Sequence, residues 1–250
     1  MSGALVAEGL HYRYGRRHPD VLAGLDWTIP PGSRTVLLGP AESGKSTLLS
    51  VLAQVAEPRR GRVYLADGGD VARAVGWLPQ QPRGIGGLSV EEHIAYVGWL
   101  KGLRRSEALA RATAQLERVG LRRQAVVRTV ALNPAQFARL ALAEALAYDA
   151  RFLFLDEPTA AMDRPDRDRF WNVLGTVPRS LAVVVSGNDP REAARHVDAV
   201  AVLRDGKLLF RGSRAEFLAL GADAPATPAE RRRKDPEKRA AAAAYRAVLG

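Results

Sequence analysis

Cysteine is absent from the 250 residues, so the chain has no disulfide framework, no thiolate metal site and no cysteine nucleophile. No apolar run approaches the roughly 18 to 20 residues that a membrane-spanning helix needs. The opening MSGALVAEGLHYRYG lacks a basic stretch followed by an apolar one, so no secretory leader is expected. Lysine is nearly missing: of 37 basic residues, 5 are Lys and 32 are Arg, a bias that reads as genome composition rather than function. No internal repeat is visible. What is present is ordinary for a globular protein, with 47% hydrophobic and 26% charged residues and a net charge of +10, which excludes wholesale disorder. The length suits one substantial domain, with or without a subdomain. The product is expected in the cytoplasm unless a partner holds it elsewhere.

The first third reads as short strands over residues 4–9, 22–29 and 34–38, punctuated by Gly and Pro. A loop then opens a helix over Ser46–Val55, and further strands are expected at Arg62–Ala66 and Ala74–Leu78. From about Ser89 to Tyr148 the apolar spacing turns to three and four, the period of helices. The continuous apolar runs RFLFLD (151–156) and LAVVVS (181–186) suit strands buried on both faces of a parallel sheet. AVAVLRDGKLLFRG (199–212) reads as a hairpin about Asp205–Gly206. Gly221 to Pro236 reads as a linker, and Ala240–Leu249 as a short terminal helix.

Gly39-Pro40-Ala41-Glu42-Ser43-Gly44-Lys45-Ser46 satisfies G-x-x-x-x-G-K-[ST] at every fixed position, between a strand and a helix. The glycines let backbone N–H groups turn toward phosphate oxygens, and the helix N-terminus adds positive dipole. Lys45 supplies charge to the β- and γ-phosphates, and the Ser46 hydroxyl suits Mg²⁺. With 23 Gly, 5 Lys and 18 Ser plus Thr in the chain, a chance match has odds of roughly 0.3%, so a phosphate site is the stronger reading.

Phe152-Leu153-Phe154-Leu155-Asp156-Glu157 sets two carboxylates at the end of a buried strand, where open α/β sheets bind ligands. Asp156 is placed to hold Mg²⁺ through water, and Glu157 to polarise an attacking water. Alone, Asp-Glu-Pro-Thr is also good turn chemistry. The phosphate loop upstream decides for the functional reading.

At these residues the sequence resembles an ATP-binding-cassette (ABC) ATPase, over about Leu5 to Leu220. The resemblance rests on LLGPAESGKSTLL and FLFLDEPTAAMD, and it extends to LSVEEHIAYVGWLKGL as the start of a helical subdomain and VLRDGKLLFRGSRAEFL as the closing strands. It implies an α/β P-loop NTPase core with a parallel sheet, an N-terminal antiparallel β-subdomain and an inserted helical subdomain at about 89–148. The ATP-binding domain would then span 1–220, with 221–250 as basic linker and short helix. Tyr14 matches the aromatic residue that stacks on adenine. Thr47 completes the ATP-binding loop. Gln80, with Gln81 a rival by one position, matches the glutamine that reaches Mg²⁺ and the attacking water. Asp163 matches a loop aspartate that crosses a dimer interface.

Two departures stand out. The family's LSGGQ signature aligns on Leu132-Asn133-Pro134-Ala135-Gln136, followed by Arg139, and only Leu, Gln and Arg survive. The switch histidine aligns on Asn188, with His196 too far along to replace it without a shifted loop. Asn133 is a good N-cap and Pro134 suits the first helical position, so a helix still starts there. Pro134, however, has no N–H for a phosphate. Each lost charge-assisted hydrogen bond is worth about 1.5–3 kcal/mol, so γ-phosphate recognition by this signature is expected to be weakened.

The resemblance implies an ATPase that uses ATP and Mg²⁺. Its function would be as the ATP-binding subunit of a membrane transporter, an exporter by the compact length and the YVGWLKGL stretch. Partners would be transmembrane permease subunits and a second cassette, a different chain bearing a full LSGGQ, with a slowly hydrolysing homodimer as the alternative. Membrane contact would be indirect, at the cytoplasmic face of the cell membrane. Two rivals are a nucleotide-sensing regulatory subunit with little turnover and a soluble ABC ATPase acting on DNA or ribosomes. No sustained heptads and only one phosphate loop occur here, against the second. The basic stretch Glu230–Arg239 has no interleaved aromatics, so nucleic acid is not expected, and it reads as a solvated linker ahead of anionic lipid contact.

Overall fold

A computed structural model describes residues 3–191, 196–222, 227 and 235–250. Three runs buried at every position make the centre: β3 (Arg34–Leu38), β6 (Phe152–Leu155) and β7 (Ala182–Gly187). Such strands have no polar face to give to water, so they must be covered on both sides. They lie in a six-stranded sheet with β5 (Val75–Leu78), β8 (Ala199–Arg204) and β9 (Lys207–Ser213), in the order β5-β6-β7-β3-β8-β9. All neighbours are parallel except β8 and β9, which form the expected hairpin. A second, antiparallel sheet has the order β2-β1-β4, from β1 (Leu5–Tyr12), β2 (Leu22–Ile29) and β4 (Arg60–Leu65).

Alternation along each strand divides the core in two. Val36 and Leu38, Leu153 and Leu155, and Val183 and Val185 face one layer. Leu37, Phe152, Phe154 and Val184 face the other, where α1 (Lys45–Leu52) is sandwiched between the sheets. This helix buries Leu48, Leu49, Val51 and Leu52 completely. It ends earlier than the expected Val55, because Gln54 takes a left-handed φ of 55° that a helix cannot continue through.

The expected helical region holds α3 (Val90–Leu100), α4 (Arg105–Arg118) and α5 (Pro134–Ala147); a single turn, α2 (Val71–Ala74), precedes β5. Ser89 and Glu92 form a reciprocal capping box that starts α3. Residues 88–91 run beside 125–129 through backbone bonds such as Val90 N–H to Val127 O (2.9 Å) and Thr129 N–H to Leu88 O (3.1 Å). The fully buried Thr129 also donates its hydroxyl to Ile85 O at 3.0 Å. The loop after Gln80 is thus tied to the turn that leads into α5.

The C-terminal reading is corrected at its edges. Gly221 and Ala222 are not linker but the last turn of α7 (Arg214–Ala222), which follows α6 (Arg164–Thr176) and β9. The terminal helix, α8, runs over Pro236–Leu249 rather than from Ala240. Asp235 caps it by accepting from Lys238 N–H at 3.3 Å, with Pro236 in the first turn. Residues 223–226 and 228–234 of the expected linker, and with them the first half of the basic stretch, lie outside the described residues. Ala241 and Ala244 are fully buried in the main core beside Phe217 of α7.

The α7–α8 contact has no room at Gly221, where an added Cβ would lie 1.9 Å from Ala240 O. Gly221→Ala is therefore expected to lower stability by about 1–3 kcal/mol, the usual cost of overpacking. Chemical denaturation reads this directly, and an unchanged midpoint would show that the two helices slide apart freely.

Candidate functional site

The phosphate-loop segment turns between the end of β3 and the start of α1. Gly39 is required by space: a Cβ there would lie 2.4 Å from Leu203 O and 2.5 Å from Ser43 Oγ. Gly44 has φ 99° and forms the N-cap of α1 with no side chain capping the helix. The first intrahelical bond is Leu48 N–H to Gly44 O, at 2.8 Å. The amides of Lys45, Ser46 and Thr47 therefore lie in the first turn, where an α-helix offers them no partner. Ser43 Oγ is buried with no partner. Unspent donors and an orphaned hydroxyl at a helix N-terminus are what an anion would satisfy. Pro40, Ala41, Glu42 and Ser46 are exposed, so the cradle is open to a ligand.

Lys45 is buried, and its Nζ donates to Gly39 O and Pro40 O, each at 2.9 Å, and to Asn188 Oδ1 at 2.8 Å. Glu157 Oε1 lies 3.6 Å away. Burial pushes the Lys45 ammonium below its usual range, and the nearby Glu157 carboxylate partly opposes this. Glu157 also accepts from Gln80 Nε2 at 3.1 Å and from Asn188 Nδ2 at 3.0 Å. Its φ of 46° places it in the left-handed region, an uncommon state for a non-glycine residue that often marks function.

Asp156 is buried and accepts from the Ser186 hydroxyl at 2.6 Å. Ser186 Oγ in turn accepts the Glu157 N–H at 2.8 Å. Ser186 ends the apolar run of β7, and its part in joining both acidic residues was not foreseen. The signal was a lone hydroxyl in an otherwise apolar strand.

Tyr14 is 67% exposed, with its ring edge-on to Tyr12 at 5.2 Å and its hydroxyl 2.7 Å from Thr47 Oγ1. One face of the ring is thus held at the rim of the cradle. A cavity of about 580 Å³ is lined by Tyr14, Lys45, Ser46, Gln80, Glu157 and Asn188, among others. Gln81 does not line it. Gln81 lines instead a larger cleft of about 820 Å³, which Gln80 shares with Leu132, Pro134 and Ala160.

The remaining predicted residues lie elsewhere within one chain. Asn133 caps α5, accepting from Gln136 N–H at 2.8 Å while Gln136 Oε1 accepts from Asn133 N–H at 2.9 Å. Leu132 and Ala135 are buried, and Arg139 donates to Gly120 O at 3.2 Å. Burial lowers the affinity of the Arg139 guanidinium for its proton. Asp163 caps α6 by accepting from Asp166 N–H at 2.8 Å. His196 stacks on Trp171, with centroids 4.9 Å apart.

Among the described residues no cluster of three or more His, Asp or Glu forms a ready metal cage. The donors beside the cradle are a hydroxyl (Ser46), a carboxamide (Gln80) and a carboxylate (Asp156). That set suits Mg²⁺, which keeps waters and takes substrate phosphates as ligands.

A family model described as "ABC transporter" matches residues 22–160. The Fe(3+) ions import ATP-binding protein FbpC 2 of Rhodococcus jostii is 32% identical over 234 residues, covering 90% of this chain and 66% of its own. The sulfate/thiosulfate import ATP-binding protein CysA of Mycobacterium bovis is 34% identical over 240 residues, covering 90% of this chain and 65% of its own. The chain thus spans just under two thirds of the length of these relatives. A bacterial Atm1-family ABC exporter with ATP bound shares the fold, with a TM-score of 0.73 at 22% identity, over 87% of this chain and 40% of that one.

Proposed function

The chain belongs to the ABC transporter family, and from that premise we propose that it is an ATP-binding subunit that couples binding and hydrolysis of Mg-ATP to transport by separate membrane subunits. The observation that carries this reading is the convergence of the phosphate loop, Glu157 and Gln80 on one cradle, with Asp156 joined to Glu157 behind it through Ser186. In it, Gly39 to Thr47 surround the phosphates with N–H groups and the Lys45 charge. Tyr14 stacks on the adenine. Ser46, Gln80 and Asp156, the last through water, would hold Mg²⁺, which would supply neutralisation of phosphate charge. Glu157 takes the proton of the attacking water.

Among the described residues no helix is long and apolar enough to cross a membrane, so the subunit needs transmembrane permease partners and sits peripherally on the cytoplasmic face. Tyr96, Trp99 and Leu100 of α3 are exposed together, as at surfaces that receive a partner. Both named relatives are import proteins, which weakens the expectation of export. An exporter shares the fold, so the fold itself is neutral on direction.

ABC dimers place each ATP between one chain's phosphate loop and the other's signature. Two copies of this chain would set LNPAQ opposite both nucleotides. The capping box around Asn133 supports a weak signature, because the backbone N–H groups of Asn133 and Gln136 are spent on the helix start and Pro134 has none to offer a phosphate. The second cassette is therefore a different chain with a full LSGGQ. Asp163 crosses the interface between them.

The complex purified from membranes is expected to contain one copy of this chain and one of another cassette; two copies with brisk ATPase would sink this reading. In that complex, Asn133→Ser with Pro134→Gly and Ala135→Gly restores the donors. Turnover at the partner's loop should rise by about tenfold or more, given that each such bond is worth about 1.5–3 kcal/mol. An unchanged rate would show that the signature does not limit that site. A complex that binds ATP yet fails to turn over even after restoration would favour the regulatory rival.

A further inference from the structure

We propose that Asn188 is a latch that ties up the phosphate-binding Lys45 in the nucleotide-free cradle and sets its preference for a nucleoside triphosphate over a diphosphate. This rests on the phosphate-binding reading of the cradle and goes beyond it. The residue stands where the family resemblance expects a histidine, and so far it has counted only as a loss.

The ammonium of Lys45 has three protons, and all three are spent: on Gly39 O, on Pro40 O and on Asn188 Oδ1. The Asn188 amide nitrogen, at the other end of the same planar group, donates to Glu157 Oε1 at 3.0 Å. The orientation of the carboxamide is dictated by its neighbours. Lys45 only donates, so it must meet the oxygen; an ionised Glu157 only accepts, so it must meet the nitrogen. A carboxylate at 188 would offer no donor, and an alkyl side chain neither group. Glu157 is held on its other oxygen by Gln80 at 3.1 Å. One neutral side chain thus keeps the phosphate-binding cation and the acidic group together, with Glu157 Oε1 3.6 Å from Lys45 Nζ.

An incoming phosphate must displace one of the three Lys45 partners. The two carbonyls belong to the backbone of the phosphate loop, which packs closely against Leu203 O at Gly39. Asn188 is an exposed side chain on the segment after β7, so it is the partner that yields. A diphosphate breaks the Lys45–Asn188 bond and returns nothing to the freed carboxamide. A triphosphate adds a third phosphoryl group, whose oxygens accept the second proton of the Asn188 amide while the first stays on Glu157 Oε1. The latch therefore penalises the diphosphate selectively. It also holds Glu157 beside the cation until the triphosphate has bound.

The test is calorimetric binding of Mg-ADP and Mg-ATP to the full chain and to Asn188→Ala and Asn188→Leu, the second keeping the side-chain volume. Both variants should bind Mg-ADP more tightly by about tenfold or more, the worth of one net hydrogen bond to a charged group. Mg-ATP affinity should change by less, so the ATP:ADP preference falls. An unchanged or weaker Mg-ADP affinity in both variants, or an unmoved ratio, overturns the latch. A second measurement needs no nucleotide. The Asn188 side-chain amide resonances, assigned by their loss in Asn188→Ala, should shift in Lys45→Ala. Resonances that stay in place overturn the latch whatever the nucleotide data. A native chain that binds neither nucleotide overturns the proposed function instead, and the resonance shift then decides the latch alone.

Discussion

Lys45→Ala is expected to weaken Mg-ATP binding by about two orders of magnitude, the worth of one to two charge-assisted hydrogen bonds from an ammonium to phosphate oxygens. The effect is large because, among the described residues, no other lysine or arginine lines the cradle. Removing the charge leaves only backbone amides and the helix dipole for the β- and γ-phosphates. Stability should suffer less than affinity. The ammonium is buried at a cost that already drives its proton affinity down, and deleting it removes that cost along with three hydrogen bonds. Calorimetry on the isolated chain reads the affinity, and thermal unfolding without nucleotide separates the two effects. An unchanged affinity would show that phosphate is not bound at this loop.

Glu157→Gln should keep Mg-ATP binding and reduce hydrolysis by about 10²- to 10⁴-fold, the usual contribution of a general base. The substitution is nearly isosteric, and the contacts show how it would be accommodated. The new amide must present its oxygen to Asn188 Nδ2, because Asn188 is fixed in orientation by Lys45. Its nitrogen then faces Gln80, whose carboxamide turns over to accept. Binding geometry survives while the proton acceptor is gone. Single-turnover hydrolysis in the assembled complex is the measurement. The parental rate in this variant would remove Glu157 from the role assigned to it.

The parts of the molecule legible in sequence are those where a local rule leaves few alternatives. The phosphate loop is legible because G-x-x-x-x-G-K-[ST] is dictated by backbone conformation, as the positive φ at Gly44 and the crowding at Gly39 bear out. The helix start at Asn133–Pro134 is legible for the same reason, capping being a matter of four adjacent residues. The buried strands follow from unbroken apolar runs. Less legible was the extent of α8. Its first turn, Pro236 to Arg239, carries three charged residues and reads as solvated linker, and only Asp235 as cap and the docking of Ala241 and Ala244 make it helix. The pairing of Asn188 with both Lys45 and Glu157 was not legible at all. It joins residues 143 and 31 positions apart, and at 188 the alignment showed only a missing histidine.

The strand order has a consequence for how the protein is made. β3, which carries the phosphate loop, pairs with β7 and β8 and with no strand that precedes it in the chain. A nascent chain therefore exposes GPAESGKS long before its flanking strands emerge. At roughly 5–20 residues per second, the 160 or so residues between β3 and β8 take on the order of ten to thirty seconds to synthesise. During that interval β3, buried at every position in the finished fold, has two open edges, while the helical contacts of residues 90–147 are local in sequence and form sooner. The ribosome thus completes the sheet around the phosphate cradle only once β7 and β8 have emerged, long after the loop itself.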